Sequence, residues 1–171
     1  MRALIVSLAL ASAGLAFALP ATAATPAPSV SQQAVYKALS VRDPVPTCAA
    51  ITALTDQPAA DLAFVAEHAA QPAWAGMRAA ECLLEGHPDA ARPLARRWVT
   101  STESRGFALM ALGMLDRLPR GLAVELAQVA RRGPLADAAT PRIARSPVPE
   151  IAAIAAVPVA DLPPLPDDLR P

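Results

Sequence analysis

Cys48 and Cys82 are the two thiols of this 171-residue chain. In an oxidising compartment such a pair closes a disulfide, whereas reduced and buried the same residues act as small apolar side chains; both outcomes stay open at this level. Neither has a His, Cys or Asp partner at metal-ligand spacing, so no metal site is expected. Glu81 and Glu85 stand one helical turn apart and suggest paired carboxylates, but Arg78 precedes Glu81 by three and points to an ordinary surface charge pair. The two histidines are His68, near the end of an amphipathic segment, and His87, in a turn before Pro88; each reads as structural or solvated. Trp74 and Trp98 begin and end helical segments and read as core or cap residues rather than stacking platforms. The chain has no G-x-S-x-G, no phosphate-cradling glycine loop and no H-E-x-x-H. No catalytic or cofactor-binding residue is therefore expected, and no cofactor.

Arginine is the remaining chemistry. Arg92 and Arg96 are four apart, Arg97 is adjacent, and Arg120, Arg131 and Arg132 decorate the next equivalent segment. If equivalent helices lie side by side, these six form a ridge able to bind an acidic protein partner or, at rest, the acidic tail with Asp161, Asp167 and Asp168. From 72 to 145 there are eleven arginines against seven acids. The plainer reading is a solvated face in an arginine-rich chain, since arginine outnumbers lysine fourteen to one.

The elements that must position these residues begin with an export signal. Met1-Arg2 is followed by an apolar and small-residue run from Ala3 to Leu19, then by Pro20-Ala21-Thr22-Ala23, an A-x-A cleavage pattern. Residues 1–23 are expected to be a cleaved signal peptide, with a periplasmic or secreted mature chain. The run is at the short limit for crossing a hydrocarbon core of roughly 30 Å, so a retained anchor is disfavoured, and no other stretch is long enough. Without Arg2 the chain carries 14 basic and 15 acidic side chains, a balance that predicts neither nucleic-acid binding nor adhesion to anionic membranes.

Residues 24–45 read as a linker and an N-terminal helix. Ser29 and Gln32 make a capping box, and Val30, Ala34, Val35, Ala38 and Leu39 form its apolar stripe. From 46 to 145 a period emerges: apolar segments end at Leu54, Leu84 and Leu115, each with a proline four residues on, at Pro58, Pro88 and Pro119. Steps of 30 and 31 residues between those prolines mark a helical-repeat array. The helix pairs are 47–54 with 58–70, 73–85 with 89–99, and 101–115 with 119–132. Thr100 and Glu103 suggest a capping box for the helix from 101, and Gly133 and Gly86 suggest C′ glycines. Leu62, Val65, Ala66 and Ala69 make one apolar face; Ala91, Leu94, Ala95, Trp98 and Val99 the next; Leu122, Leu126, Val129 and Ala130 the third. Phe107 to Leu115 is apolar without a break and belongs at the centre of the stack. A partial helix is expected over 133–145, interrupted at Pro141. Residues 146–171 form a proline-rich tail in which Ile151–Val157 is a helical turn, an extended strip or disordered.

The stretch carrying Arg105, Ala108, Ala111, Leu112, Gly113 and Leu115 resembles the R-x-x-A-x-x-A-L-G-x-L signature of HEAT-like repeats of the phycobilisome-lyase type. Arg78 to Leu84, followed by Gly86-His87-Pro88-Asp89-Ala90-Ala91-Arg92-Pro93-Leu94, is similar to the same unit, with His87 in place of the turn aspartate and Leu84 in place of a glycine. A tetratricopeptide array fits less well, being about 34 residues in period with a tryptophan, glycine and tyrosine spacing that is missing here. The resemblance implies an all-α fold, a short α-α superhelix whose surface binds another protein, and no enzyme activity by itself. Ala49, Ala50, Ala79 and Ala80 would let first helices approach closely and bring Cys48 within reach of Cys82.

The expected function is an exported, monomeric scaffold or adaptor for an unidentified protein partner. The alternatives are a lyase-like accessory enzyme or ligand chaperone with a groove between helices, and a purely structural domain held by one disulfide. A pocket lined by His68, Trp74 or Trp98 would favour a ligand, and a broad open face a protein.

Overall fold

The computed structural model describes residues 26–69 and 71–165. The expected export segment and the tail aspartates Asp167 and Asp168 lie outside the described residues. Among the described residues there are nine α-helices, one short 3-10 turn and no strand, and no helix is long and apolar enough to cross a membrane.

Helix α1 (Val30–Leu39) opens with the capping box: Ser29 Oγ accepts from the Gln32 N–H at 3.1 Å and Gln32 Oε1 from the Ser29 N–H at 2.8 Å. Val35 and Leu39 are buried, but Val30 is 87% exposed. At 3.6 residues per turn Val30 lies roughly 140° round from Val35, so it does not share the buried stripe. Helix α2 (Cys48–Thr52) is capped by Thr47 Oγ1, which accepts from the Ala50 N–H at 3.2 Å. Helices α3 (Pro58–His68) and α5 (Pro88–Thr100) begin with proline, whose missing N–H would be unpaired in a first turn. Helices α4 (Ala73–Gly86), α6 (Arg105–Gly113), α7 (Arg120–Arg132), α8 (Ala136–Ile143) and α9 (Pro149–Ala156) complete the chain.

From α3 onward each helix packs on the one after the next, and consecutive helices also pack on each other except at the step from α6 to α7. Thus α3, α5, α7 and α9 form one row, α4, α6 and α8 a second, and the core lies between them. The predicted apolar faces of α5 and α7 are buried throughout. Trp98 is a core residue, its ring stacked on Phe107 at 5.1 Å between centroids. Helix α6 packs on α4, α5 and α8, which is why its sequence carries no polar face.

Several expected boundaries move. Helix α6 starts at Arg105 rather than 101, and Thr100 does not cap it. Thr100 Oγ1 donates backward to the carbonyls of Arg96 and Arg97 at 3.0 and 3.1 Å, which makes it the last residue of α5. Gly133 ends α7 with an extended backbone at φ −89°, and no described glycine has positive φ, so neither Gly133 nor Gly86 forms a left-handed cap. A methyl at Gly133 would sit 3.2 Å from the carbonyl oxygen of Val99, so close packing of chains explains that glycine. Pro141 does not interrupt α8, just as Pro93 does not interrupt α5. The carbonyls each proline leaves without an N–H belong to Asp137 and Asp89, both exposed residues, where water can serve them. Residues 149–156 settle as helix α9, buried through Ile151 and Ile154 against α7 and α8.

Helix α2 is too short to bury much more than Ile51, and a disulfide ties it to α4: Cys48 and Cys82 are bonded, with Cα atoms 5.2 Å apart and a separation of 34 positions in sequence. Alanines at 79 and 80, both fully buried, allow that approach. Replacing both cysteines with alanine should lower unfolding free energy by about 3–4 kcal/mol, the chain-entropy value for a loop of this size. Urea unfolding of the double variant beside the oxidised chain measures it, and an unchanged midpoint would contradict this role.

Candidate functional site

The six ridge arginines lie on adjacent helices of one row, α5 and α7, but acids and carbonyls of the same chain meet them. Arg97 of α5 pairs with Glu67 of α3. Arg92 and Arg96 of α5 both reach Glu125 of α7, Arg92 at 3.3 Å, and Arg92 also lies 3.7 Å from Asp89. Arg120 of α7 pairs with Glu150 of α9. Arg131 donates to Thr140 Oγ1 at 2.7 Å and to the Val157 carbonyl at 2.8 Å, while Arg132 donates to the carbonyls of Gln128 at 3.2 Å and Pro163 at 2.6 Å. The ridge therefore laces neighbouring helices to one another. The segment it holds at its C-terminal end is gripped through backbone carbonyls and Glu150, not through Asp161.

The carboxylate pair is likewise engaged. Arg117 bridges Glu81 at 3.5 Å and Glu85 at 3.2 Å. Arg78, expected beside Glu81, instead turns to the end of α1 and donates to the carbonyls of Leu39 at 3.1 Å and Val41. Those carbonyls at the end of a helix lack N–H partners, and a guanidinium satisfies them. Trp74 supports the same corner, with Nε1 donating to the Ser40 carbonyl at 3.4 Å and the Arg42 guanidinium 4.3 Å above its ring. His87 sits between α4 and α5 with its Nε2 buried and without a hydrogen-bond partner.

One feature with a receptive shape is a cleft of about 360 Å³ between α1 and α3. Gln32, Gln33 and Tyr36 project into it from one face of α1, and Phe64, Val65 and His68 from one face of α3, the spacing of i, i+1 and i+4 in both cases. Most polar groups on its α1 side are already bonded. Gln32 caps α1, Gln33 Nε2 donates to the Pro28 carbonyl at 3.3 Å, and the Tyr36 hydroxyl donates to the Gln71 carbonyl across the opening. The His68 ring leans on Phe64 with centroids 4.5 Å apart. What remains is an apolar bed with one imidazole at its wall. Of these residues sequence reasoning named only His68 as a pocket residue, with Gln32 read as a cap and Val65 as part of an apolar face; a signal for Tyr36 and Phe64 was their standing as isolated aromatics on two amphipathic helices.

The two kinds of ridge contact differ in burial, and that difference is measurable. The Glu125 side chain is 11% exposed between two guanidiniums, whereas Arg120 and Glu150 are 76% and 47% exposed. Glu125→Gln should cost about 1–3 kcal/mol because it leaves two cations poorly compensated, and Glu150→Gln less than about 1 kcal/mol. Denaturant unfolding of both variants gives the comparison, and equal losses would refute it. No protein-family model, curated protein or solved structure matches the chain.

Proposed function

We propose that this chain is an exported helical-repeat adaptor, a short α-solenoid of HEAT-like character, that receives an apolar side chain from an extended segment of a partner protein. The receiving site is the cleft between α1 and α3. The observation that carries the reading is the state of the cleft's polar groups: with Gln32, Gln33 and Tyr36 engaged inside the chain, the space offers apolar contact to an incoming group. A volume of about 360 Å³ is at the small end of ligand pockets and suits one large side chain with its flanking backbone. The two-row packing supports the solenoid reading, since stacked hairpins place equivalent helices side by side. The arginine ridge supports an acidic partner less well, because such a partner would have to displace Glu67, Glu125 or Glu150.

His68 at the cleft wall favours the second reading, a carrier for a small apolar ligand. Native mass spectrometry of the chain purified from its own compartment separates the two, since a carrier retains a bound mass.

Selection of displayed peptides on the mature chain tests the adaptor reading, with Gln33→Trp as a plugged counter-target. Enriched peptides should share one aromatic or long aliphatic residue and bind the plugged chain at least about tenfold more weakly, a difference of about 1.4 kcal/mol. Equal binding to both chains, at matched melting temperatures, would sink the proposal.

A further inference from the structure

After α8 the chain turns through Ser146, Pro147 and Val148 and folds back over α7 and α8. Helix α9 lies on both helices, and the chain then runs through a short 3-10 turn, Val159–Asp161, into Leu162-Pro163-Pro164. Three aliphatic side chains anchor this strap: Ile151, Ile154 and Leu162 are buried, while Val159 between them is 44% exposed. Its polar grip is of a particular kind. Arg131 and Arg132, at the last turn of α7, donate to the carbonyls of Val157 and Pro163 at 2.8 and 2.6 Å. Each of those carbonyls belongs to, or directly precedes, a proline in a stretch outside regular helix, where a backbone has few partners of its own. A guanidinium that reads such carbonyls recognises an extended proline-bearing backbone whatever its side chains. At the opposite end of α7, Arg120 meets Glu150 in the first turn of α9.

We propose that α7 and α8 form a receptor face for a partner segment of this chemistry, an apolar helical turn followed by a proline-bearing extended stretch. Residues 149–165 are its resident occupant, and the partner's segment exchanges with them. The strap suits exchange: it joins the body through one turn with Arg145 and Pro147 exposed, it packs chiefly on α7 and α8, and three separated anchors hold it. This face shares no residue with the cleft between α1 and α3 and stands whether or not that cleft binds a peptide.

The test uses the full folded chain with a protease site inserted at the Arg145–Pro147 turn. After cleavage, a fluorescent peptide of residues 149–165 is added and its polarisation followed, with circular dichroism and melting recorded alongside. The nicked chain should take up the peptide at least about tenfold better than the intact chain, in which the tethered strap competes at high effective concentration. Arg132→Ala in the nicked chain should weaken uptake about fivefold or more, and a peptide with Leu162→Asp should fail to compete. The proposal is overturned if the nicked chain keeps its helicity and melting yet takes up no peptide. It is equally overturned if nicking alone unfolds the body, which would make the strap part of the core. A dimer that forms between copies of the chain and resists free peptide would also overturn it, by assigning the face to self-association.

Discussion

Close approach of helices through buried alanine is the constraint on which this structure depends. Ala75, Ala79 and Ala80 in α4, Ala91 and Ala95 in α5, Ala108 and Ala111 in α6, and Ala123 and Ala127 in α7 are all fully buried. Small side chains at those points let helices come close, and Leu83, Leu94, Leu112 and Leu126 are buried beside them in the same core. An alanine contact removes little apolar surface by itself, so no pair of these helices is self-sufficient. Stability comes from repeating the contact along both rows, and the rows must therefore be closed at each end.

The two ends are closed by different means. At the N-terminal end α1 contributes Val35 and Leu39, and the Arg78 guanidinium and Trp74 indole fasten the chain that leaves it. The disulfide then attaches the short helix α2, which lacks the apolar area to hold itself. At the C-terminal end α9 lays Ile151 and Ile154 over α7 and α8, and arginines hold the stretch that follows. The cleft beside α1 and the face beneath the strap lie at these closures. In the middle, α5 and α6 each pack on helices of both rows, and their apolar faces are buried there.

Electrostatics follows the same architecture. Glu67 to Arg97, Glu125 to Arg92 and Arg96, and Glu150 to Arg120 join α3 to α5, α5 to α7, and α7 to α9 in turn. Each pair spans about thirty residues in sequence, the distance at which helices of one row come to lie side by side and share charges. A chain with balanced charge overall thus places its arginines where acids of a neighbouring helix meet them, and a local excess of cations in the sequence becomes a bridged row in space.

Much of the fold was legible because helical periodicity and proline placement are local signals. The 30- and 31-residue steps between Pro58, Pro88 and Pro119, the capping box at Ser29 and the apolar faces of α5 and α7 all depend on residues within a few turns of one another. Boundaries failed where one side chain had two local partners to choose from. Thr100 could cap forward or bond backward, and it bonds backward to Arg96 and Arg97. Pro141 could break a helix or sit with its freed carbonyl in water, and exposure of Asp137 allowed the second. By itself, then, the sequence determined an all-helical chain, its helix faces and the residues available for chemistry. Tertiary structure alone decided that Cys48 meets Cys82, that Glu125 stands between two arginines, and that Tyr36 and Phe64 face a common cleft. Each of these partnerships joins residues about thirty positions apart, and their distance is set by how the helices stack, a quantity that no local pattern encodes.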